Sequence, residues 1–399
     1  MQSSKFVTIA SFRIGCVFAA MRSLSSTLGG PLRGIWSLLS IRLIARNLPM
    51  MGLALLVSAH ASADPDSYNV GVYYFPGWSP GAGKGNSDPW SPIKRFPERK
   101  PLLGWYDDSN QKVIAKQLEW MKDYGINFVT FDWYWEGGSK PVAGAPISNY
   151  LHARDNHGIK FNILWANHAV FPRSLEEFDV MVDYWISNYF SSPNYLKIDD
   201  RPVVMVFSAT ELERSAQILH IDSALLLQMA SRRAIERGLR GIYFVASTLP
   251  EKGRISNALP KAGYDALTAY NYHAGIHGMQ YGRRLSHSYS ELTGAYAENW
   301  NYIIEESELP YLVPVTAGWD KAPWGGSEDP AHDNSEGSSE EFRQHLLEAR
   351  DVMTKNPERT KRTVIICCWN EFGEGSFIEP TKARGFSYLG AVRDVFGNK

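Results

Sequence analysis

The sequence predicts an α/β fold: a single (β/α)8 TIM barrel with long βα loops, preceded by an N-terminal export segment. Three observations predict the barrel. Eight apolar runs of strand length recur after Asp64, separated mostly by segments of helical periodicity. Residues 64–399 exceed the about 250 residues typical of such a barrel by an amount that long loops absorb. The residues that follow the strands are strongly polar and aromatic, whereas the turns that enter them, such as Gly158-Ile159-Lys160 and Asp199-Asp200-Arg201-Pro202, are routine.

The expected strands are Val70 to Phe75, Asn127 to Trp133, Phe161 to Ala166, Val203 to Phe207, Gly241 to Ala246, Ala266 to Tyr270, Leu312 to Ala317 and Val364 to Trp369. Runs rich in β-branched residues read as strands covered on both faces, as parallel sheets require. Between them, Asp108-Ser109-Asn110 can cap a helix that runs to Tyr124 and stops at Gly125. Ser174-Leu175-Glu176-Glu177 and Ser338-Ser339-Glu340-Glu341 are capping boxes. Asp222 opens a helix with Leu225, Leu226, Met229 and Ala230 on one face, closed at Gly238. Further helices are expected near Ile147 to His157, Tyr289 to Glu306 and Tyr388 to Phe396, while the link between the fifth and sixth strands reads as short and irregular. Strands alternating with helices argue for parallel βα units. The excess length falls in two loops, Pro76 to Asn110 and Gly318 to Ser338.

The first sixty or so residues differ in kind, because Asp64 is the only acid before Asp66. Arg42 and Arg46, the apolar stretch from Met50 to Val57, and Ala61-Ser62-Ala63 match the three parts of a secretory signal. Residues 1–63 are therefore expected to be a leader cut after Ala63, with a secreted or periplasmic catalytic domain at 64–399. The apolar part is too short for a membrane span. Its removal leaves Cys367 and Cys368, adjacent residues whose side chains point to opposite faces of an ordinary strand and make a poor disulfide. The fold is expected to stand on its core.

A formal net charge of -1 over 399 residues leaves no electrostatic footprint for nucleic acid or an anionic membrane. A neutral substrate fits better. Thirteen Trp, 20 Tyr and 18 Phe supply flat, weakly polar faces suited to sugar rings, although most such residues in any protein pack a core.

Candidate site residues follow from the strand ends. They are Tyr73, Tyr74 and Trp78; Asp132, Trp133 and Tyr134; Asn167 and His168; Tyr270, Tyr272 and His273; Trp319 and Asp320; and Trp369 and Asn370 with the acids Glu371 and Glu374. Taken singly, an aspartate can cap a loop and a histidine can be a satisfied core residue. The glutamates stand apart, because they follow a buried strand and are separated by Gly373 rather than sharing a helix face. Two carboxylates so placed can supply a proton donor and a proton acceptor to one sugar ring. Metal binding is not expected: His273 and His277 lack the glutamate of a zinc-peptidase helix, and Glu328, Asp329 and Asp333 lack calcium-loop spacing. No cofactor fingerprint or nucleophile-elbow serine is present.

Trp369-Asn370-Glu371-Phe372-Gly373-Glu374-Gly375 with Ile378-Glu379-Pro380 resembles the Asn-Glu-Trp-x-Glu-Gly-x-x-x-Glu-Pro signature of the family 99 glycoside hydrolases, the endo-α-mannosidases. It also resembles the related WbsX-like proteins, described as glycosyltransferases of polysaccharide biosynthesis. Val315-Thr316-Ala317-Gly318-Trp319-Asp320 is similar to the seventh-strand motif of the WbsX-like group, and Gly71-Val72-Tyr73-Tyr74-Phe75-Pro76-Gly77-Trp78 to the first strand of family 71/99-like hydrolases. The resemblance implies a (β/α)8 barrel and retaining hydrolysis of an α-linked glycan through a 1,2-anhydro sugar. Glu371 would deprotonate the substrate's 2-hydroxyl, and Glu374 would protonate the leaving oxygen and then activate water. Direct attack by Glu371 stays open on the residues alone. Phe372 stands where the family often has Trp, and Gly373 where the endomannosidases have His, which bears on the pocket wall and on mannose specificity. A polysaccharide-building transferase and a sugar-binding barrel without turnover are the alternatives.

Overall fold

A computed structural model of the chain describes residues 67–80, 88–168, 171–280 and 284–397. The expected leader lies outside the described residues. Eight parallel strands form the barrel: β1 Asn69–Tyr74, β2 Phe128–Trp133, β3 Lys160–Trp165, β4 Arg201–Val206, β5 Tyr243–Ser247, β6 Ala266–Thr268, β7 Val313–Thr316 and β8 Thr363–Cys367. Their order around the sheet is β6-β5-β4-β3-β2-β1-β8-β7. The ends of this path meet at Leu267, whose amide donates to Pro310 O at 2.8 Å and whose carbonyl accepts from Leu312 N at 2.9 Å.

The alternation of side chains along each strand divides the core in two. Tyr73, Phe128, Leu164, Met205, Val245 and Ile365 fill the lumen, while Val70, Val72, Tyr74, Phe131 and Trp133 pack outward under the helices. Gly71 makes this lumen possible. A Cβ there would come within 2.0 Å of the Phe128 ring, so the neighbouring strand's aromatic occupies the space a side chain would need. A third cluster, with Trp78, Trp90, Ile93, Tyr106, Phe372 and Phe377, sits beneath the first long loop.

The helix expectations hold where a cap and a periodic face coincide. Asn110 accepts from Lys112 N to open Gln111–Asp123, and Ser174 from Glu177 N to open Leu175–Trp185, which a π turn extends to Phe190. Asp222 caps Ser223–Glu236, and Ser338 with Glu341 forms a complete capping box before Ser339–Lys355. Tyr289–Glu306 and Ser387–Phe396 are also helical. The helix near Ile147 is shorter than expected, Ala145–Leu151, ending where Asp155-Asn156-His157-Gly158 folds into a turn held by Asp155 and Asn156 side chains. The longest helix that was not expected is Ala209–Ile218, capped by Ser208 accepting from Glu211 N. The link between the fifth and sixth strands, expected to be irregular, is helical from Arg254 to Ala262, and Ile276–Gln280 and Pro357–Thr360 are further short helices.

The cysteine expectation is corrected. Cys367 and Cys368 form a disulfide with each other, their Cα atoms 2.9 Å apart across a cis peptide, so the side chains share one side rather than alternating. A bridge between neighbours closes no chain segment, and the core remains the source of stability.

Candidate active site

The acid motif is a miniature hairpin at the exit of β8. Asn370–Glu371 pairs antiparallel with Ser376–Phe377, and the connecting turn carries Glu374, whose amide donates to Glu371 O at 3.2 Å. Gly375 closes the turn with φ of 71°, in the left-handed region, where a Cβ would also crowd Asp320 N at 2.7 Å.

Three sets of contacts hold this hairpin. Asn370 accepts from Phe75 N at 2.8 Å and donates to Phe75 O at 2.9 Å, which ties the exit of β8 to that of β1. Arg99, 1% exposed, donates to Phe372 O at 2.9 Å and Asp320 O at 3.0 Å, and pairs with the carboxylates of Asp320 and Glu336. Asp320 N donates in turn to Glu374 O at 2.7 Å. Behind the hairpin, buried Glu379 accepts from Tyr106 at 2.7 Å and from Gln117 at 3.1 Å.

A cavity of about 570 Å³ opens at the C-terminal ends of the strands. It brings together Asp132, Tyr134, His168, Tyr270, His273, Trp319, Glu371 and Glu374 from the expected set. At its floor the Tyr270 hydroxyl lies 2.9 Å from Asp132 Oδ2 and 3.0 Å from Glu371 Oε1. A phenol has one proton to donate, so both contacts are hydrogen bonds only when one carboxyl is protonated. Electrostatics favour that state. Burial pushes Glu371 well above the ordinary carboxylate range, with the charges of Glu374 and Asp132 adding to it, and burial likewise raises Asp132. Glu374 is pushed up to about 7 by burial, opposed by Lys321. The oxygens Asp132 Oδ1 and Glu371 Oε2 are buried without a hydrogen-bond partner among the described residues.

Elsewhere in the lining His273 is backed by buried His332, whose tautomer is defined. Ser286 O can only accept, so His332 Nδ1, 2.7 Å away, carries the hydrogen. Burial holds His332 below its ordinary pKa and therefore neutral, which leaves its Nε2 to accept from His273 Nδ1 at 3.0 Å. Trp319 packs edge-on against His273 at 4.3 Å.

The remaining expected residues do not line the cavity, each for a visible reason. Tyr73 fills the lumen, its hydroxyl donating to Ala269 O at 3.3 Å, and Tyr74 points outward to Gln117. Trp133 packs outward against Trp135 and Trp185, and Tyr272 bonds Tyr311 in the core. Trp78 stacks on Trp90 and donates to Asn370 O, and Trp369 is fully buried. Asn167 joins β3 to β4 through paired bonds with the Ser208 backbone. Asp320 is the partner of Arg99, and Asn370 is the clamp on Phe75. These side chains brace the site rather than face it.

Several lining residues were missed. Phe75 directly follows β1, and Ser247 and Thr248 sit at the end of β5, so the strand-end rule extended by one residue reaches them. Arg254, paired with Glu213 at 3.0 Å, and Trp324 come from connecting segments, and no local signal aims such residues inward. Among the described residues no group of three or more His, Cys, Asp or Glu is arranged to hold a metal ion.

Fold and site together define a (β/α)8 barrel that presents a carboxylate pair in a cleft at the C-terminal ends of its strands. The chain belongs to the family described as glycosyltransferase WbsX, whose model matches residues 94–392. It is 24% identical over 313 residues to the uncharacterized protein WxcX from two strains of Xanthomonas campestris pv. campestris, covering 73% of this chain and 42% of the relative. The chain thus spans less than half the length of the curated relatives it matches. Among solved structures, it is similar to the GH99 endo-alpha-mannosidase of Bacteroides thetaiotaomicron, at 14% identity and a TM-score of 0.59, covering 82% of this chain and 95% of that one. A glycoside hydrolase-like protein aligns at 17% identity with a TM-score of 0.58 over 84% and 95% of the two chains. At these identities the likeness shows the fold.

Proposed function

We propose that the chain is a glycosidase that cleaves an α-linked glycan, with Glu371 and Glu374 as its proton-transfer pair. The observation that carries this reading is the convergence of two acids from one rigid hairpin on a single cleft, with pKa values raised enough that the group retains a proton near neutral pH. One carboxyl then donates while the other accepts. Glu371 takes the proton of the sugar 2-hydroxyl, whose oxygen attacks C1 as the glycosidic bond breaks, and Glu374 gives its proton to the departing oxygen. A 1,2-anhydro sugar results. Water, losing a proton to Glu374, opens it at C1, and the 2-oxygen recovers its proton from Glu371, so the configuration is retained. Burial raises both acids, and at Glu374 the charge of Lys321 opposes it, so the assignment of base and acid rests on position in the motif.

The family's description favours a second reading, a transferase that builds polysaccharide. A secreted or periplasmic location, expected from the leader, supports the hydrolase over an enzyme fed by a nucleotide sugar. No helix among the described residues is long and apolar enough to cross a membrane.

The test is release of reducing sugar by purified protein starting at Asp64 from a panel of α-mannans and α-glucans. Glu374→Gln is expected to slow release at least about hundredfold while preserving binding. Equal turnover by that variant removes Glu374 from the acid role, and turnover only with a nucleotide sugar selects the transferase.

A further inference from the structure

Trp324 lies in the loop after β7, and its indole covers Gly373, the residue between Phe372 and Glu374 in the acid turn. A Cβ placed on Gly373 would come within 2.1 Å of Trp324 Cε2 and 2.4 Å of its Cζ2. The backbone of Gly373 is not left-handed, so the indole alone excludes a side chain there. Phe75 meets the same indole edge-on, with ring centroids 6.0 Å apart. Thus Trp324 is held from two sides, yet it stays 38% exposed and lines the cleft with Glu371 and Glu374. Most large aromatics among the described residues are buried. An indole left open beside a carboxylate pair offers an apolar face where the C–H face of a sugar ring can stack.

We propose that Trp324 is the stacking platform for the sugar on the leaving-group side of the scissile bond, and that residue 373 is glycine so that this indole can lie there. The placement rests on the glycosidase reading, in which Glu374 protonates the leaving oxygen: the indole covers Gly373, the residue next to Glu374. Trp324 thereby sets which glycan is accepted, without touching the proton transfers.

Binding is measured by calorimetry in the Glu374→Gln background with α-manno- and α-gluco-oligosaccharides. Trp324→Ala is expected to weaken binding on the order of tenfold, and Trp324→Phe to recover most of it. Gly373→Ala, which displaces the indole, is expected to weaken binding similarly alone and to add nothing when Trp324 is already Ala. With Glu374 intact, Trp324→Ala should lower kcat/KM for an oligosaccharide about tenfold and lower that for the α-glycosyl fluoride of the same sugar much less, since fluoride has no ring to stack on the indole. Equal losses on both substrates, or unchanged oligosaccharide affinity in Trp324→Ala, overturn the platform and leave the glycosidase reading standing. Failure of the Glu374→Gln protein to bind any oligosaccharide of the panel overturns both.

Discussion

The hydroxyl of Tyr270 stands 3.0 Å from Oε1 of Glu371, joining the exit of β6 to the acid turn after β8. Because the same hydroxyl is 2.9 Å from Asp132 Oδ2, three acidic groups share the protons of one small site. The Tyr270 hydrogen bond is the contact that opposes burial and like charge at Glu371.

Replacing Tyr270 by Phe removes that opposition, so the pKa of Glu371 rises further. A base must be deprotonated to act, and the acidic limb of the kcat/KM profile is therefore expected to move to higher pH. At pH 6 the loss should be about ten- to hundredfold. An acidic limb that stays in place would show that Tyr270 does not tune Glu371.

Lys321 acts on the other acid. Its charge lowers the pKa of Glu374, which burial raises to about 7. Lys321→Met is expected to move the alkaline limb of the profile upward, because Glu374 then keeps its donating proton to higher pH. A downward or absent shift in the pH–rate profile contradicts the assignment of that limb to Glu374.

Behind the hairpin, burial pushes Glu379 up to about 8 from an ordinary value of 4.5, despite its bonds from Tyr106 and Gln117. The folded state therefore holds a proton that the unfolded chain releases between these values. The corresponding stability is full below pH 4.5 and is lost as pH rises through about 8. Glu379→Gln mimics the neutral acid, so its advantage over the parent should grow from pH 5 to 8.5, reaching a few kcal/mol on the order-of-magnitude scale of such shifts. Thermal unfolding at the two pH values decides it, and parallel curves for the two proteins speak against a protonated Glu379.

Arg99 joins the first long loop to the acid turn through Phe372 O and to two carboxylates. Arg99→Met leaves Asp320 and Glu336 without this partner and is expected to cost about 3–5 kcal/mol. Lysine, a point charge without the planar fork, should recover only part of that. Urea midpoints measure both, and a loss under about 1 kcal/mol for Arg99→Met would falsify the clamp.

Much of the architecture was legible because its signals are local. All eight strands could be placed from apolar runs, and Ser338 with Glu341 announced a helix by reciprocal capping that the structure reproduces. The short helix Ala209–Ile218 was hidden because it follows β4 with only Phe207 and the cap Ser208 between them. Strand ends also marked the face on which the cleft opens.

What the chain alone could not assign is which neighbour at each strand end turns inward. Trp133 packs outward on Trp185 while Tyr134, the next residue, lines the cleft; Tyr73 fills the lumen and Tyr74 faces a helix. Period-two alternation separates such pairs, but the phase is set by the barrel's register and not by the residues themselves. Asp320 likewise reads as a site residue until Arg99, 221 positions away, claims it. The order of elements and the acid motif follow from contacts among near neighbours. Partnership across the barrel, the shared proton at Tyr270 and the seat of Trp324 on Gly373 exist only once distant segments are packed together, because burial and pairing between them are properties of the folded chain.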